Sequence, residues 1–185
     1  GERTFPKEFS LATEDKFGFA KAIELAKSLD QVIVVVGEDA YQTGEGRSQM
    51  DIALHDNQKE LLEQIFEVNE NVVVVIMSGR PIIAPWLYEK SKAVLYAWHL
   101  GSEAGHAISD VLFGDYNPSG KLPMSVPVHH GQIPVYYNHK NSGKPPSDDA
   151  IVHIDDIDAN ATQTSLGMTA FHVDEGFRPL FPFGF

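Results

Sequence analysis

The 185-residue sequence contains no cysteine. Disulfides, thiolate metal sites and cysteine nucleophiles are therefore excluded. The absence assigns no redox compartment, because exported proteins can also lack disulfides. Basic residues are sparse: 14 Lys and Arg stand against 26 Asp and Glu, a formal charge of −12. That balance argues against a protein that grips phosphate backbones and against a polybasic membrane-surface binder. Long apolar runs are also missing. The longest aliphatic stretch, Val72 to Met77, is far short of the ~20 residues of a membrane-spanning helix. Neither nucleic acid nor membrane insertion is expected. Gly44-Glu45-Gly46 lacks the third glycine of a dinucleotide fingerprint, and no Gly-Lys-Ser/Thr follows it. The Gly-x-Ser-x-Gly elbow of α/β-hydrolases is absent too. What is present is an ordinary globular composition, 43% hydrophobic and 22% charged. A chain of this length can bury about 70% of its unfolded surface.

Two regions differ in composition. Residues 10–117 alternate amphipathic segments with short aliphatic runs, whereas residues 118–185 hold eight of the 11 prolines. The spacing of Phe17, Ala20, Ile23 and Ala26 predicts a helix from Glu14 to Leu29, with Thr13 as its N-cap. Val32 to Val36 is continuous and β-branched, which reads as a strand covered on both faces. A helix over Asp56–Val68 and a strand over Val72–Met77 follow. Next come a short helix around Pro85–Lys90, a strand over Ala93–Ala97 and a helix from Ser102, its candidate cap, to Leu112. Leu122–Val126 is a candidate fourth strand. Strand–helix alternation is the signature of a parallel sheet with right-handed crossovers. The expected fold is a three-layer α/β/α sandwich with a mostly parallel sheet, plus an irregular Pro-rich C-terminal segment. The sandwich is expected over residues 14–140, and 141–185 as an irregular excursion that returns to it. Ligands of such sheets are met by loops at the carboxyl ends of the strands.

The loop after the first strand, Gly37 to Ser48, opens at such an end. Glu45 lies between Gly44 and Gly46, which permit a sharp turn that projects one carboxylate outward. Arg47 is placed to orient or partly neutralise it. A loop carboxylate can act as a general acid if its surroundings favour the protonated form. On residue chemistry alone, a solvated surface glutamate is the competing reading, and the more common case.

Other residues carry less. Trp86 sits on an amphipathic turn and Trp98 ends an apolar strand, so both read as packing residues. Gly79-Arg80-Pro81 shapes a strand-end turn. His99 and His106 lack a third ligand at suitable spacing and read as structural. Asp156-x-Asp158-x-Asn160 imitates the start of a calcium loop. Ala161 then stands where glycine belongs and Gly167 where glutamate belongs, so no metal is expected. Asn160-Ala161-Thr162 is a glycosylation sequon, meaningful only in a eukaryotic secretory setting.

Several blocks, taken in order, resemble the second domain of family 3 glycoside hydrolases, the β-glucosidase group. They are the strand-loop through Gly44-Glu45-Gly46-Arg47-Ser48, the helix with Gln58, Leu61 and Leu62, and Ser78-Gly79-Arg80-Pro81. Trp98-His99-Leu100-Gly101-Ser102-Glu103-Ala104-Gly105 resembles the family's Trp-x-x-Gly-x-Glu-x-Gly segment. Leu112-Phe113-Gly114 through Pro118-Ser119-Gly120-Lys121-Leu122-Pro123 is similar to its Leu-Phe-Gly…Pro-x-Gly-x-Leu-Pro run. Ile133–His139 and Phe181–Phe185 continue the match, which covers about residues 15–145 and 175–185.

The resemblance implies retaining hydrolysis of β-linked glycosides by two carboxyl groups. In the family, the nucleophilic aspartate sits on a preceding (β/α)₈ barrel domain that this sequence does not include. The glutamate of a Gly-Glu-Gly-like loop supplies the acid/base, which maps to Glu45. Gln42, Thr43 and Arg47 then line the aglycone side. Glu38, directly after the strand, is the rival carboxylate and reads as scaffold. Residues 1–13 become a linker from the barrel, and the chain alone is expected to be inactive and to expose an apolar face. No cofactor is implied. The substrates implied are β-linked oligosaccharides or aryl glycosides, in a periplasmic or secreted setting. The competing class is a non-catalytic carbohydrate-binding or scaffold domain of the same fold.

Overall fold

The computed structural model describes residues 15–55, 57–141, 143–162 and 172–185. Thr13, Glu14, Asp56 and Gly167, each given a place above, lie outside the described residues, as does the 1–13 linker. The chain divides into two compact units at Pro118/Ser119.

The first unit is built on three aliphatic strands. β1 (Val32–Gly37), β2 (Val72–Met77) and β3 (Ala93–Tyr96) form one parallel sheet in the order β1-β2-β3. The register runs Val32↔Val72 to Gly37↔Met77, and Val73↔Ala93 to Ile76↔Tyr96. α1 (Phe19–Ser28) precedes β1, and the crossovers contain α2 (Gln58–Val68) between β1 and β2 and α3 (Pro85–Lys90) between β2 and β3. Strand side chains alternate between faces, so Val36, Val72, Val74 and Ile76 share one. They pack there with Ala26 of α1, Leu62 and Ile65 of α2 and Leu87 of α3. Leu62, Ile76 and Leu87 are fully buried, each worth about 1.5–3 kcal/mol relative to exposure. Asn69, just past α2, fixes the ends of these elements. Its Nδ2 donates to the carbonyls of Ala26 and Leu29, both at 2.8 Å. Two carbonyls at the end of α1 thereby find a partner.

The fold class is the expected α/β class, and β2 and α3 span the predicted residues. Four details differ. β1 is not covered on both faces: Ile33 is 42% and Val35 59% exposed. The β-branched run therefore reported strand propensity, not two-sided burial. α1 begins at Phe19, not Glu14, because the Asp15 carboxylate accepts the Phe17 N–H at 2.8 Å and holds a turn there. Phe17, assigned to the apolar face, is 95% exposed. Ser102 does not cap the last helix; it lies inside a 3₁₀ turn (Gly101–Glu103) that leads into α4 (Ala104–Phe113).

The fourth difference falls in the second unit, residues 119–185. Leu122–Val126 is not a strand; only Val126 pairs, antiparallel, with Phe181. Pro123, inside the segment, and Pro127, directly after it, lack the N–H a ladder needs. Leu122 instead exchanges backbone bonds with the closing residues. Its N–H donates to the Phe185 carbonyl at 3.2 Å and its carbonyl accepts from Gly184 at 2.8 Å. Gln132 is buried with both ends of its amide satisfied, by the Val128 N–H and the Arg178 carbonyl.

Candidate active site at the carboxyl end of the sheet

The carboxyl ends of β1 and β2 lie side by side because the strands are parallel and in register up to Gly37↔Met77. The chain leaves β1 through Gly37, at φ +149°. A Cβ there would sit 1.9 Å from the Met77 carbonyl oxygen, so the close approach requires glycine. Gln58 at the start of α2 grips the same residue. Its Oε1 accepts the Gly37 N–H at 2.8 Å and its Nε2 donates to the Gly37 carbonyl at 2.9 Å.

Directly beyond, Glu38 meets the residues that follow β2. Its side chain is 1% exposed and pairs with the Arg80 guanidinium. The Ser78 hydroxyl donates to its other oxygen at 2.7 Å and accepts the Arg80 N–H at 3.0 Å. Tyr96, at the end of β3, completes the support. Its hydroxyl donates to the Arg80 carbonyl and accepts the Ile82 N–H at 2.9 Å. Burial pushes the Tyr96 hydroxyl up to about 12, with the Glu38 carboxylate adding to the rise. Tyr88 is raised further, again chiefly by burial.

The remainder of the loop is tied to this base at two points. Arg80 Nη1 donates to the Gln42 carbonyl at 3.3 Å, and Nη2 donates to the Arg47 carbonyl. Gln49 Nε2 also donates to the Gln42 carbonyl, at 2.7 Å. The turn from Asp39 is self-supporting, since its carboxylate accepts the N–H groups of Tyr41 and Gln42. Between the tie points lies the tip, Thr43 to Gly46. Gly44 has φ +132° and Gly46 φ +71°. Glu45, between them, is exposed and has no hydrogen-bond or ion-pair partner among the described residues.

The four residues singled out from sequence thus share one loop but differ in use. Glu45 is at the solvent-facing tip. Thr43 is half-buried; its hydroxyl oxygen lies 4.0 Å from where a Cβ on Gly79 would be, beside the His99 ring at 2.9 Å. Gln42 is half-buried, with its Oε1 accepting the Asp39 N–H at 3.0 Å. Arg47 does not pair with Glu45. Its guanidinium folds back to donate to the Tyr41 carbonyl and lies 5.9 Å over the Tyr41 ring. A cation that was expected to orient the carboxylate instead closes its own loop.

From the sequence, Arg80 reads only as part of a strand-end turn. The available signal was positional: a glutamate directly after one parallel strand and an arginine just after its neighbour must lie close together. Trp86 packs on the core, edge-on to Phe66 at 6.3 Å. Trp98 has φ +52° and lies against Tyr96, ring centroids 4.3 Å apart. His106 pairs with Glu103 on the surface. Among the described residues there is no group of three or more His, Asp or Glu able to hold a metal ion. Asp158, in the calcium-like run, turns its carboxylate to the Asn160 N–H. No helix among the described residues is long and apolar enough to cross a membrane.

A buried base at the carboxyl end of a parallel sheet, carrying a loop with one exposed carboxylate at its tip, defines an α/β domain with its candidate site at the strand ends. The model of the glycosyl hydrolase family 3 C-terminal domain matches residues 5–185, and the chain belongs to that family. It is 38% identical over 165 residues to the periplasmic β-glucosidase of Salmonella typhimurium, covering 89% of this chain and 20% of that protein. It is 41% identical to a β-xylosidase of Formosa agariphila, over 72% of this chain and 18% of the relative. The crystal structure of a Listeria innocua β-glucosidase superposes with a TM-score of 0.80 at 30% identity, covering 96% of this chain and 23% of that one. The chain therefore spans about a fifth of the length of the curated relatives it matches.

Proposed function

We propose that this chain supplies the general acid/base, Glu45, to a retaining β-glycosidase whose nucleophilic carboxylate lies on a separate barrel domain. The observation that carries the reading is the unpartnered Glu45 at a tip flanked by two glycines at positive φ, on a base locked by Arg80. Retaining hydrolysis needs two carboxyl groups about 5–5.5 Å apart. Glu45 is exposed in this chain, so desolvation and the second carboxylate must come from a surface that faces the loop. In the first step Glu45 protonates the departing glycosidic oxygen as the nucleophile bonds to the anomeric carbon. In the second it takes a proton from the water that attacks the glycosyl-enzyme bond and releases the sugar with retention. Gln42, Thr43 and Arg47 border the aglycone side. The substrates are β-linked oligosaccharides or aryl glycosides. The Salmonella relative's name supports a periplasmic or secreted location for the enzyme.

The domain boundaries proposed are a linker over 1–13, the α/β sandwich over 14–140 and a returning segment over 141–185. The chain alone is then inactive, and its exposed Ile33 and Val35 suit a domain that packs on more structure in the full-length enzyme. The test is Glu45→Ala in the full-length protein. Turnover of aryl β-glucosides with poor leaving groups should collapse, while activated ones still form the glycosyl-enzyme. Azide should then restore turnover and yield a β-glycosyl azide. A folded variant with wild-type rates on poor leaving groups would overturn the assignment and favour a binding or scaffold domain.

A further inference from the structure

We propose that Arg80 is a positioning residue for Glu45; the inference rests on the acid/base reading above. The two carbonyls that its guanidinium holds, those of Gln42 and Arg47, bracket Glu45 in sequence. The same guanidinium is seated on the buried Glu38 carboxylate. One planar fork therefore fixes both ends of the tip relative to the sheet, and only Thr43, Gly44, Glu45 and Gly46 remain between the tie points.

Arginine suits this task because its donors lie in one plane at fixed angles, so one side chain serves an anion and two separate carbonyls. A lysine ammonium is a compact point charge. It keeps the pairing with Glu38 but cannot span both carbonyls. Arg80 is itself held from behind, by Ser78 at its N–H and Tyr96 at its carbonyl. Its side chain is 19% exposed, so it is nearly enclosed and its conformers are few. The two glycines leave the tip free to turn, and the fork sets where that turning starts.

A displaced acid/base slows the proton transfers it serves, protonation of a poor leaving group and deprotonation of the attacking water, and leaves departure of an activated leaving group alone. Misplacement by about 1 Å can cost on the order of 10²-fold. The experiment uses Arg80→Lys and Arg80→Met in the full-length protein, with Glu45→Ala in parallel. The readout is kcat/KM across β-glucosides of graded leaving-group pKa. Both Arg80 variants are expected to lose ~10- to 100-fold on alkyl or weakly activated aryl glucosides. On the dinitrophenyl glucoside kcat/KM should stay near wild type, while kcat, which includes base-assisted breakdown of the glycosyl-enzyme, falls and is restored in part by azide. A merely structural role lowers every substrate by the same factor, the folded fraction. Equal losses, or no loss, in Arg80→Lys would overturn the proposal. Arg80→Lys preserves the charge beside Glu38, so it keeps the test open if Arg80→Met fails to fold. If Glu45→Ala itself shows no leaving-group dependence, the acid/base reading has failed. If Glu45→Ala does show it and Arg80→Lys does not, only the positioning role has failed.

Discussion

Replacing Gly37 with alanine should damage the site at its root. The new Cβ would lie 1.9 Å from the Met77 carbonyl oxygen and 2.6 Å from its carbon. Non-bonded carbons sit at about 3.5–4.0 Å, so β1 and β2 must part by more than 1 Å where their pairing ends. Three hydrogen bonds converge there: Glu38 N–H to the Met77 carbonyl, Gly37 N–H to Gln58 Oε1, and Gln58 Nε2 to the Gly37 carbonyl. Each is worth about 1 kcal/mol net. A side chain at φ +149° adds about 1–2 kcal/mol of strain. The expected loss is about 4–5 kcal/mol, a large share of the 5–15 kcal/mol that holds a typical domain. At roughly 2–4 °C per kcal/mol for a chain of this size, the midpoint should fall by about 8–20 °C. Urea unfolding analysed by linear extrapolation measures it. Gly105→Ala is the control of opposite sign. It lies in α4 with nothing within 4 Å of its Cβ position, so it should gain about 0.5–1 kcal/mol. A Gly37→Ala loss below about 1 kcal/mol would refute the reasoning, because the strands would have accommodated the methyl group.

Gln58→Leu removes both side-chain bonds to Gly37 and should lower stability by about 2 kcal/mol in the same urea assay, with the helix content of α2 unchanged. Tyr96→Phe strips a donor from the Arg80 carbonyl and an acceptor from the Ile82 N–H, for a loss of about 1–3 kcal/mol. It should also change the alkaline limb. Tyr96 is raised from 10.0 to about 12, so its contribution is full below pH 10 and fades as pH rises from 10 to about 12, by up to roughly 3 kcal/mol; unfolding of the variant should lack that part of the decline. Arg80→Met leaves the Glu38 carboxylate buried with Ser78 alone and should cost about 3–5 kcal/mol, whereas Glu38→Leu with Arg80→Met should recover most of it. A double variant as unstable as the sum of the two single ones would show that the pair is not coupled.

The elements read best from sequence were those where several local signals agree. Val72–Met77 is β-branched and flanked by turn residues, and it is the strand observed. Pro85 marks the first residue of α3, where its missing N–H is harmless. The failures were competitions that periodicity does not register. Asp15 offers the backbone a local hydrogen bond that replaces the first turn of α1. Pro123 and Pro127 deny Leu122–Val126 a ladder. At the candidate site the loop and its exposed glutamate were legible, because two glycines around one carboxylate are a local pattern. The Arg80 anchor was not, since it depends on strand register, which joins Glu38 to residues 40 positions on.

The two glutamates of the loop show why the anchor matters to chemistry. Glu38 is enclosed, ion-paired and hydrogen-bonded by Ser78. Its side chain is 1% exposed, so no substrate oxygen can reach it. A buried pair of this kind contributes little net stability, because desolvation offsets the attraction. Its effect lies in geometry: it fixes where the Arg80 fork stands, and the fork fixes the carbonyls of Gln42 and Arg47. Glu45 has the converse properties, exposed and with no hydrogen-bond or ion-pair partner among the described residues. A proton-transfer group needs that freedom at its oxygens together with a backbone that does not wander. On the acid/base reading proposed for Glu45, the loop divides the two requirements between two carboxylates of the same type, one buried to hold position and one exposed to react.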